Sequence, residues 1–407
     1  MALPGSINIA DYNYDLPADR IAQRPACSRD ASRLLVYRDG KVIDSEFSGI
    51  ESYLPHNSLI VFNDTRVVQA RIEFSKTTGS RIEIFCLEPL APSADIQLAF
   101  GQVSPCNWSC LVGNSRKWKN EVLIKTLPGN DRWLKAERIS ILPGGCFEIR
   151  FSWSPRELTF SDVLHEAGQV PLPPYITRDS DEEDADRYQT VYALNEGSVA
   201  APTAGLHFTE EILERLISLG CREERLTLHV GLGTFRPVSV PDIRDHVMHS
   251  ELFTVKLSTM RALRDSLDRP VIAVGTTSAR TLESLYWMGL KAIEHPHAGI
   301  NNITQWEPYE TRSSVLPSPK DSLEALISYL ETSGADECRG STSLIIVPGY
   351  TFRFVTGLIT NFHMPQSTLL LLIAAFAGNG WKDVYSHALA RGYRFLSYGD
   401  ACMFLRK

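Results

Sequence analysis

Two histidines, His207 and His229, stand at the ends of adjacent elements in the stretch VAAPTAGLHFTEEILERLISLGCREERLTLHVGLGTFRP, residues 199 to 237, and both sit beside glycine turns. An imidazole titrates near neutral pH, so a pair poised at loop ends suits proton transfer. Either one alone is more often a satisfied structural residue; the pattern is what points to a site. A second pattern is Gly275-Thr276-Thr277-Ser278-Ala279-Arg280, directly after the apolar run Val271 to Val274. Three hydroxyls and free amides at a helix N-terminus make a cradle for an anion or carboxylate. Asn63-Asp64-Thr65-Arg66 interrupts a third apolar run. There Asp64 could move a proton, and Arg66, flanked by valines, is expected to need a partner. His246, His249 and Glu251 could be read as metal ligands, but the HExxH spacing of catalytic zinc helices is absent, and no metal is expected. No GxGxxG or GxxxxGK[ST] pattern supports a dinucleotide site or a P-loop.

The elements that must position these residues can be read from punctuation and period. Ala201 to Gly205 is a turn, which leaves His207 and Phe208 at its end. Thr209 is a plausible N-cap, Ile212, Leu213, Leu216 and Ile217 recur at helical spacing, and Gly220 ends the run. Leu226, Leu228 and Val230 then alternate with Thr227 and His229, predicting a strand with His229 turned away from the leucines, and Gly231 and Gly233 allow close backbone approach. Asp39-Gly40 predicts a hairpin, and Ser367-Thr368 a helix cap. Arg29 and Arg33, beside Asp30 and Ser32, either pair at the surface or present guanidinium forks to an anion. Pro171 to Tyr175 is forced into an extended path, followed by an acidic loop at Asp179 to Asp186 and by Arg187-Tyr188-Gln189, a reasonable ligand wall. Leu158 to Ala167 predicts a short helix returning to the main domain, and Tyr393 to Phe404 a last strand broken by Ser397-Tyr398-Gly399-Asp400.

From 67 to 157 the pattern changes to short β-prone runs separated by Gly and Pro. We therefore expect a mixed α/β main domain, 1–66 and 158–407, with a small all-β barrel inserted at 67–157 and a further insertion at 291–340. The 407 residues are 43% hydrophobic and 22% charged, ordinary for a globular chain. The N-terminus lacks a signal-peptide pattern, and the longest apolar run, Leu369 to Ala377, is too short to cross a bilayer. The 8 cysteines are scattered, so reduced thiols and a cytoplasmic, monomeric protein are expected. A net charge of -7 argues against indiscriminate nucleic-acid binding but not against a local basic face. Seven Lys and Arg between Arg116 and Arg138, interleaved with Trp118 and Trp133, read either as an RNA-facing patch or as a solvated hairpin face.

In order along the chain, RDASRLLV, FNDTRV, VPLPPYI, DRYQTVYA, VAAPTAGLHF, TLHVGLGTF, HVMHSE, VIAVGTTSAR, LITNFHMPQST and YRFLSYGDA together resemble the S-adenosylmethionine:tRNA ribosyltransferase-isomerases of queuosine biosynthesis. The resemblance implies a barrel-like sheet in the main domain and S-adenosylmethionine as a ribosyl donor. It also implies as acceptor the aminomethyl group of a deazaguanine at the tRNA wobble position, with adenine and methionine released. On this reading His207, His229 and Asp64, with His249 and His363 behind them, handle protons. Thr276, Thr277, Ser278 and Arg280 hold the methionine carboxylate, and Tyr175 or Phe208 faces the sulfonium. Arg33, Arg66, Arg187, Tyr188, Gln189, Thr203, Asn361, Tyr398 and Asp400 complete the expected substrate wall. Gln366 and Thr356 stand where the family usually carries acids. A paralogue of altered specificity, a non-catalytic tRNA-binding relative and a metal-dependent hydrolase at His246, His249 and Glu251 are the competing expectations.

Overall fold

A computed structural model describes residues 5–119, 121–231, 238–295, 299–310 and 316–406. The expected turn at Gly233 lies outside them.

Apolar runs buried on both faces make the centre of the molecule. Leu59–Asn63, Val271–Val274 and Gly357–Asn361 are buried at every position, as parallel strands covered on both sides must be. Side-chain alternation sends Leu59 and Val61 to one hydrophobic cluster and Ile60 and Phe62 to the other. The first cluster takes Leu282 and Leu285 of the helix Thr276–Glu294; the second takes Ile212 and Leu216 of the helix Glu210–Ser218. Thr209 caps that second helix by accepting from Ile212 N, and Gly220 follows it at φ +79°, as predicted.

Ten strands form the main sheet, in the order Asn302–Ile303, Glu337–Thr342, Glu251–Lys256, Arg222–Leu228, Leu59–Asn63, Val271–Val274, Gly357–Asn361, Ala401–Leu405, Arg33–Arg38, Lys41–Glu46. Four neighbours, from Arg222–Leu228 to Gly357–Asn361, run parallel. Ala401–Leu405 returns antiparallel with Ala401 opposite Asn361, and Arg33–Arg38 runs parallel to it with Leu34 opposite Ala401. One sheet edge therefore gathers the carboxyl ends of four strands and the amino ends of two. The hairpin at Asp39-Gly40 forms with φ of 53° and 75°, the left-handed pair such a turn needs.

The described part of 291–340, expected as an insertion within the main domain, extends its sheet with Asn302–Ile303 and Glu337–Thr342 and packs the helix Pro319–Thr332 on Thr276–Glu294. Two other sequence expectations change here. Asp179 to Asp186 is not all loop: Glu182–Arg187 is a helix, with Asp181 and Asp184 forming a capping box. The last strand begins only at Ala401.

Residues 67–157 supply most of a seven-stranded antiparallel sheet, completed by Gly168–Gln169. It encloses its own hydrophobic cluster around Trp108, Phe151 and Trp153. The helix Phe160–Ala167 buries Phe160, Val163 and Leu164 in that cluster, not in the main one where it was expected. Trp118 is 1% exposed within the same cluster and Lys135 lies 4.2 Å over the Trp133 ring. Trp118 therefore offers no open face for base stacking, and Lys135 covers one face of the partly exposed Trp133.

Candidate active site

The shared sheet edge carries the chemistry. In sheet order it presents His229, Asp64, Gly275 with Thr276, Asn361 with His363, Asp400, and Ser32 with Arg33, from chain segments far apart in sequence. Ligands of open α/β sheets bind outside the carboxyl ends of parallel strands, where loops diverge and leave a crevice.

Two clefts open along this edge. The first is lined by Tyr175, Thr203, Thr276, Thr277, Asn361 and His363, with Ser367 and Ser397. The second, much larger, lies between the two sheets and is lined by Asp64, Asn195, Thr227 and His229 on one side and by Asp95, Ile96 and Leu98 on the other. His229 lines the second cleft and its neighbour Val230 the first, so the two meet at consecutive residues.

In the first cleft, Gly275 at φ +91° breaks the strand and starts the long helix with its free amides toward the hollow. Thr277 Oγ1 is buried and has no hydrogen-bond partner among the described residues. An unpartnered buried hydroxyl at a helix N-terminus is a vacancy a ligand acceptor or donor can fill. His363 Nε2 is 2.8 Å from Thr360 Oγ1, and burial lowers its pKa to about 3, so the ring is neutral. Tyr175 OH lies 2.6 Å from Ser397 Oγ, holding the aromatic ring at the opposite wall.

His207 stands one layer behind. Thr203 Oγ1 donates to Asn361 Oδ1 at 2.9 Å, Asn361 Nδ2 donates to His207 Nε2 at 3.0 Å, and Nδ1 is 2.8 Å from Ser32 Oγ. With Nε2 accepting, Nδ1 carries the proton and donates to Ser32. Burial first, then the charges of Arg394 and Arg29, lowers the His207 pKa to about 3. Both nitrogens are spent, which makes His207 a positioning residue for Asn361. In the second cleft, Asp64 Oδ1 accepts from Thr227 Oγ1 at 2.7 Å and Asn195 Nδ2 at 3.1 Å. His229 Nδ1 is 3.0 Å from Thr65 Oγ1, and burial lowers its pKa to about 4. Gly197 lets the chain pass over that ring: a Cβ there would lie 2.5 Å from His229 Cε1.

Several expected site residues do other work. Arg280 is buried in an ion pair with Glu251, and Ser278 Oγ donates to Val274 O at 2.7 Å, so neither reaches the carboxylate cradle. The same pair takes Glu251 away from any metal set with His246, and His249 is exposed and lines neither cleft. Phe208 packs edge-on against Phe47 and Phe62 in the core and faces no cleft, leaving Tyr175 as the aromatic wall. Arg66 is exposed between buried Thr65 and Val67, so it needs no partner after all. Arg33 lies 3.7 Å over the Tyr393 ring and donates to Arg391 O. Gln189 brackets the Val67 peptide through both amide atoms, Tyr188 is fully buried, and Tyr398 OH donates to Asp184 at 2.6 Å. Asp400 accepts from the backbone N–H of Arg33 and Arg394, tying two strand starts together. Thr360, Ser367 and Ser397 line the cleft unforeseen; their signal was present in LITNFHMPQST and FLSYGD, where hydroxyls abut strand and helix ends.

Fold and site define a class: a mixed α/β protein with a hydroxyl-rich cleft at the carboxyl edge of its parallel strands. A family model described as queuosine biosynthesis protein matches residues 9–404, and the chain belongs to that family. It is 38% identical over 400 residues to the S-adenosylmethionine:tRNA ribosyltransferase-isomerase of Trichlorobacter lovleyi, covering 97% of this chain and 99% of that one. The protein of the same name from Heliobacterium modesticaldum is 39% identical over 406 residues, covering 98% and 100%. The solved S-adenosylmethionine tRNA ribosyltransferase of Thermotoga maritima is 27% identical, covers 97% of this chain and 100% of its own, and superposes with a TM-score of 0.46.

Proposed function

We propose that this chain is an S-adenosylmethionine:tRNA ribosyltransferase-isomerase. It transfers and isomerises the ribosyl group of S-adenosylmethionine onto 7-aminomethyl-7-deazaguanine at the tRNA wobble position. The product is epoxyqueuosine-tRNA, with adenine and methionine leaving. End-to-end similarity to relatives bearing that name carries the reading.

The first cleft suits the donor, because it sets hydroxyls, an imidazole and an aromatic ring beside a helix N-terminus. The methionine carboxylate sits at the amides of Thr276 and Thr277 and accepts from the Thr277 hydroxyl, while the Tyr175 ring faces the sulfonium. His363, in the cleft wall, accepts a proton from the carbon beside the sulfonium or from the attacking amine, against a burial that lowers its pKa to about 3. Asn361, fixed by Thr203 and His207, presents its amide as a directed polar group. Asp64 and His229 serve the acceptor side from the neighbouring cleft. The wobble base must be splayed out of its stack to arrive there. The seven-stranded unit is an inserted domain, and the protein acts in the cytoplasm, as a monomer, without a metal.

The experiment is incubation of the protein with S-adenosylmethionine and tRNA carrying the aminomethyl deazaguanine. Adenine and methionine are expected in equal amounts, and His363→Ala is expected to lose at least a hundredfold in rate while keeping its fold. S-adenosylhomocysteine as the product would mean methyl transfer and refute the proposal.

A further inference from the structure

A third, small hollow opens beside the first cleft, and Ser397 lines both. Its wall carries three arginines, Arg29, Arg187 and Arg394, and among the described residues no Asp or Glu lines it. Two of these cations are nearly buried, with side-chain exposures of 13% for Arg29 and 15% for Arg187.

Backbone carbonyls aim all three. Arg29 donates to Gln189 O at 2.7 Å and Asp186 O at 2.9 Å, Arg187 to Ala26 O at 2.7 Å, and Arg394 to Arg24 O at 3.2 Å. A carbonyl fixes a guanidinium without cancelling its charge. The carboxylates only partly offset it. Asp186 is 4.0 Å from Arg29 and its side chain is 88% exposed, while Glu183 accepts from Arg187 at 3.3 Å from a half-exposed position where water screens the pair. Asp400 is 3.8 Å from Arg394 and accepts backbone N–H bonds on both oxygens. His207, in the same wall, registers the surplus, since Arg394 and Arg29 both oppose its protonation.

Like charges held around a partly desolvated hollow repel, and a bound oxyanion relieves them while matching the planar donor fork of arginine. We propose that this hollow binds a backbone phosphate of the RNA substrate, adjacent to the nucleotide whose base enters the catalytic clefts. The inference rests on the tRNA-modifying reading above and assigns it a contact. With a net charge of -7, affinity for a polyanion must come from local cation clusters. On the proposed reading the donor's single carboxylate takes the helix N-terminus at Thr276 and Thr277, which leaves a phosphodiester as the oxyanion for the arginines.

The test is binding of an unmodified anticodon stem-loop RNA to the full chain, followed by fluorescence anisotropy across a salt series. Arg394→Gln and Arg187→Gln are each expected to weaken binding about tenfold, with the log–log salt slope falling by roughly 0.7 per lost contact. Arg394→Lys should restore part of the affinity, and calorimetric affinity for S-adenosylmethionine should not move. On the wild-type protein, inorganic phosphate should compete with the RNA more strongly than chloride at matched ionic strength, a readout independent of how the variants fold. Unchanged RNA affinity and slope, or weakened donor binding in place of RNA binding, would overturn the assignment. Failure of the wider reading shows separately, as absence of adenine release from wild type that still binds RNA.

Discussion

His207 is held neutral by its surroundings, and this has a thermodynamic signature. Its pKa in the fold is about 3 against an ordinary 6.5, because burial and two nearby arginines disfavour the imidazolium. Between those values the unfolded chain binds a proton that the native chain refuses, so native stability is full above about pH 6.5 and drains away as pH falls. The loss is about 1.4 kcal/mol per pH unit over that window. Urea unfolding at pH 7 and pH 5 should therefore cost the wild type about 2 kcal/mol more than His207→Asn. Equal pH dependence of the two would remove the buried neutral imidazole from the account. At this scale the sequence showed residue type better than residue task. Thr276, Thr277, Thr203, Asn361, Tyr175 and His363 were all singled out and all line the first cleft. Arg280 and Phe208 were singled out beside them and point elsewhere, to Glu251 and to Phe47 and Phe62. Those partners come from distant segments, so local spacing holds no record of them.

The helix Thr276–Glu294 links core to site: its first turn forms the cradle and its body lies against the sheet. Two features hold it in place. Glu283 is fully buried and accepts from Tyr350 OH and from the backbone N–H of Arg353, Phe354 and Val355. Gly289 lets the helix Pro319–Thr332 approach so closely that a Cβ would lie 2.1 Å from Ser322 O. Gly289→Ala gains up to about 1 kcal/mol of helix propensity but forces the two helices apart, an overpacking cost of about 1–3 kcal/mol or more. The cost wins, and a net loss of about 1–2 kcal/mol is expected in a denaturant melt; a stabilised variant would show that the helices separate freely. Elements with local punctuation were legible, among them the Thr209 and Ser367 caps and the Asp39-Gly40 hairpin. The helix at Glu182–Arg187 was missed because its acidic face offered almost no apolar period, and its Asp181 capping box was overlooked.

Strand order was not legible, and the site depends on it. Residues near positions 33, 64, 229, 276, 361 and 400 share one edge only because four strands run parallel and two return beside them. The two histidines expected to share proton transfer stand apart in the fold, His207 behind one of two adjoining clefts and His229 in the other. The central claim is that the donor occupies the first cleft, at the helix N-terminus and beside His363. Amide hydrogen exchange with and without S-adenosylmethionine tests it most directly. The account predicts slowed exchange in the peptides containing residues 201–204, 275–279 and 360–364. Protection confined to residues 223–227, 252–259 and 337–341, which line the larger cleft, would contradict it.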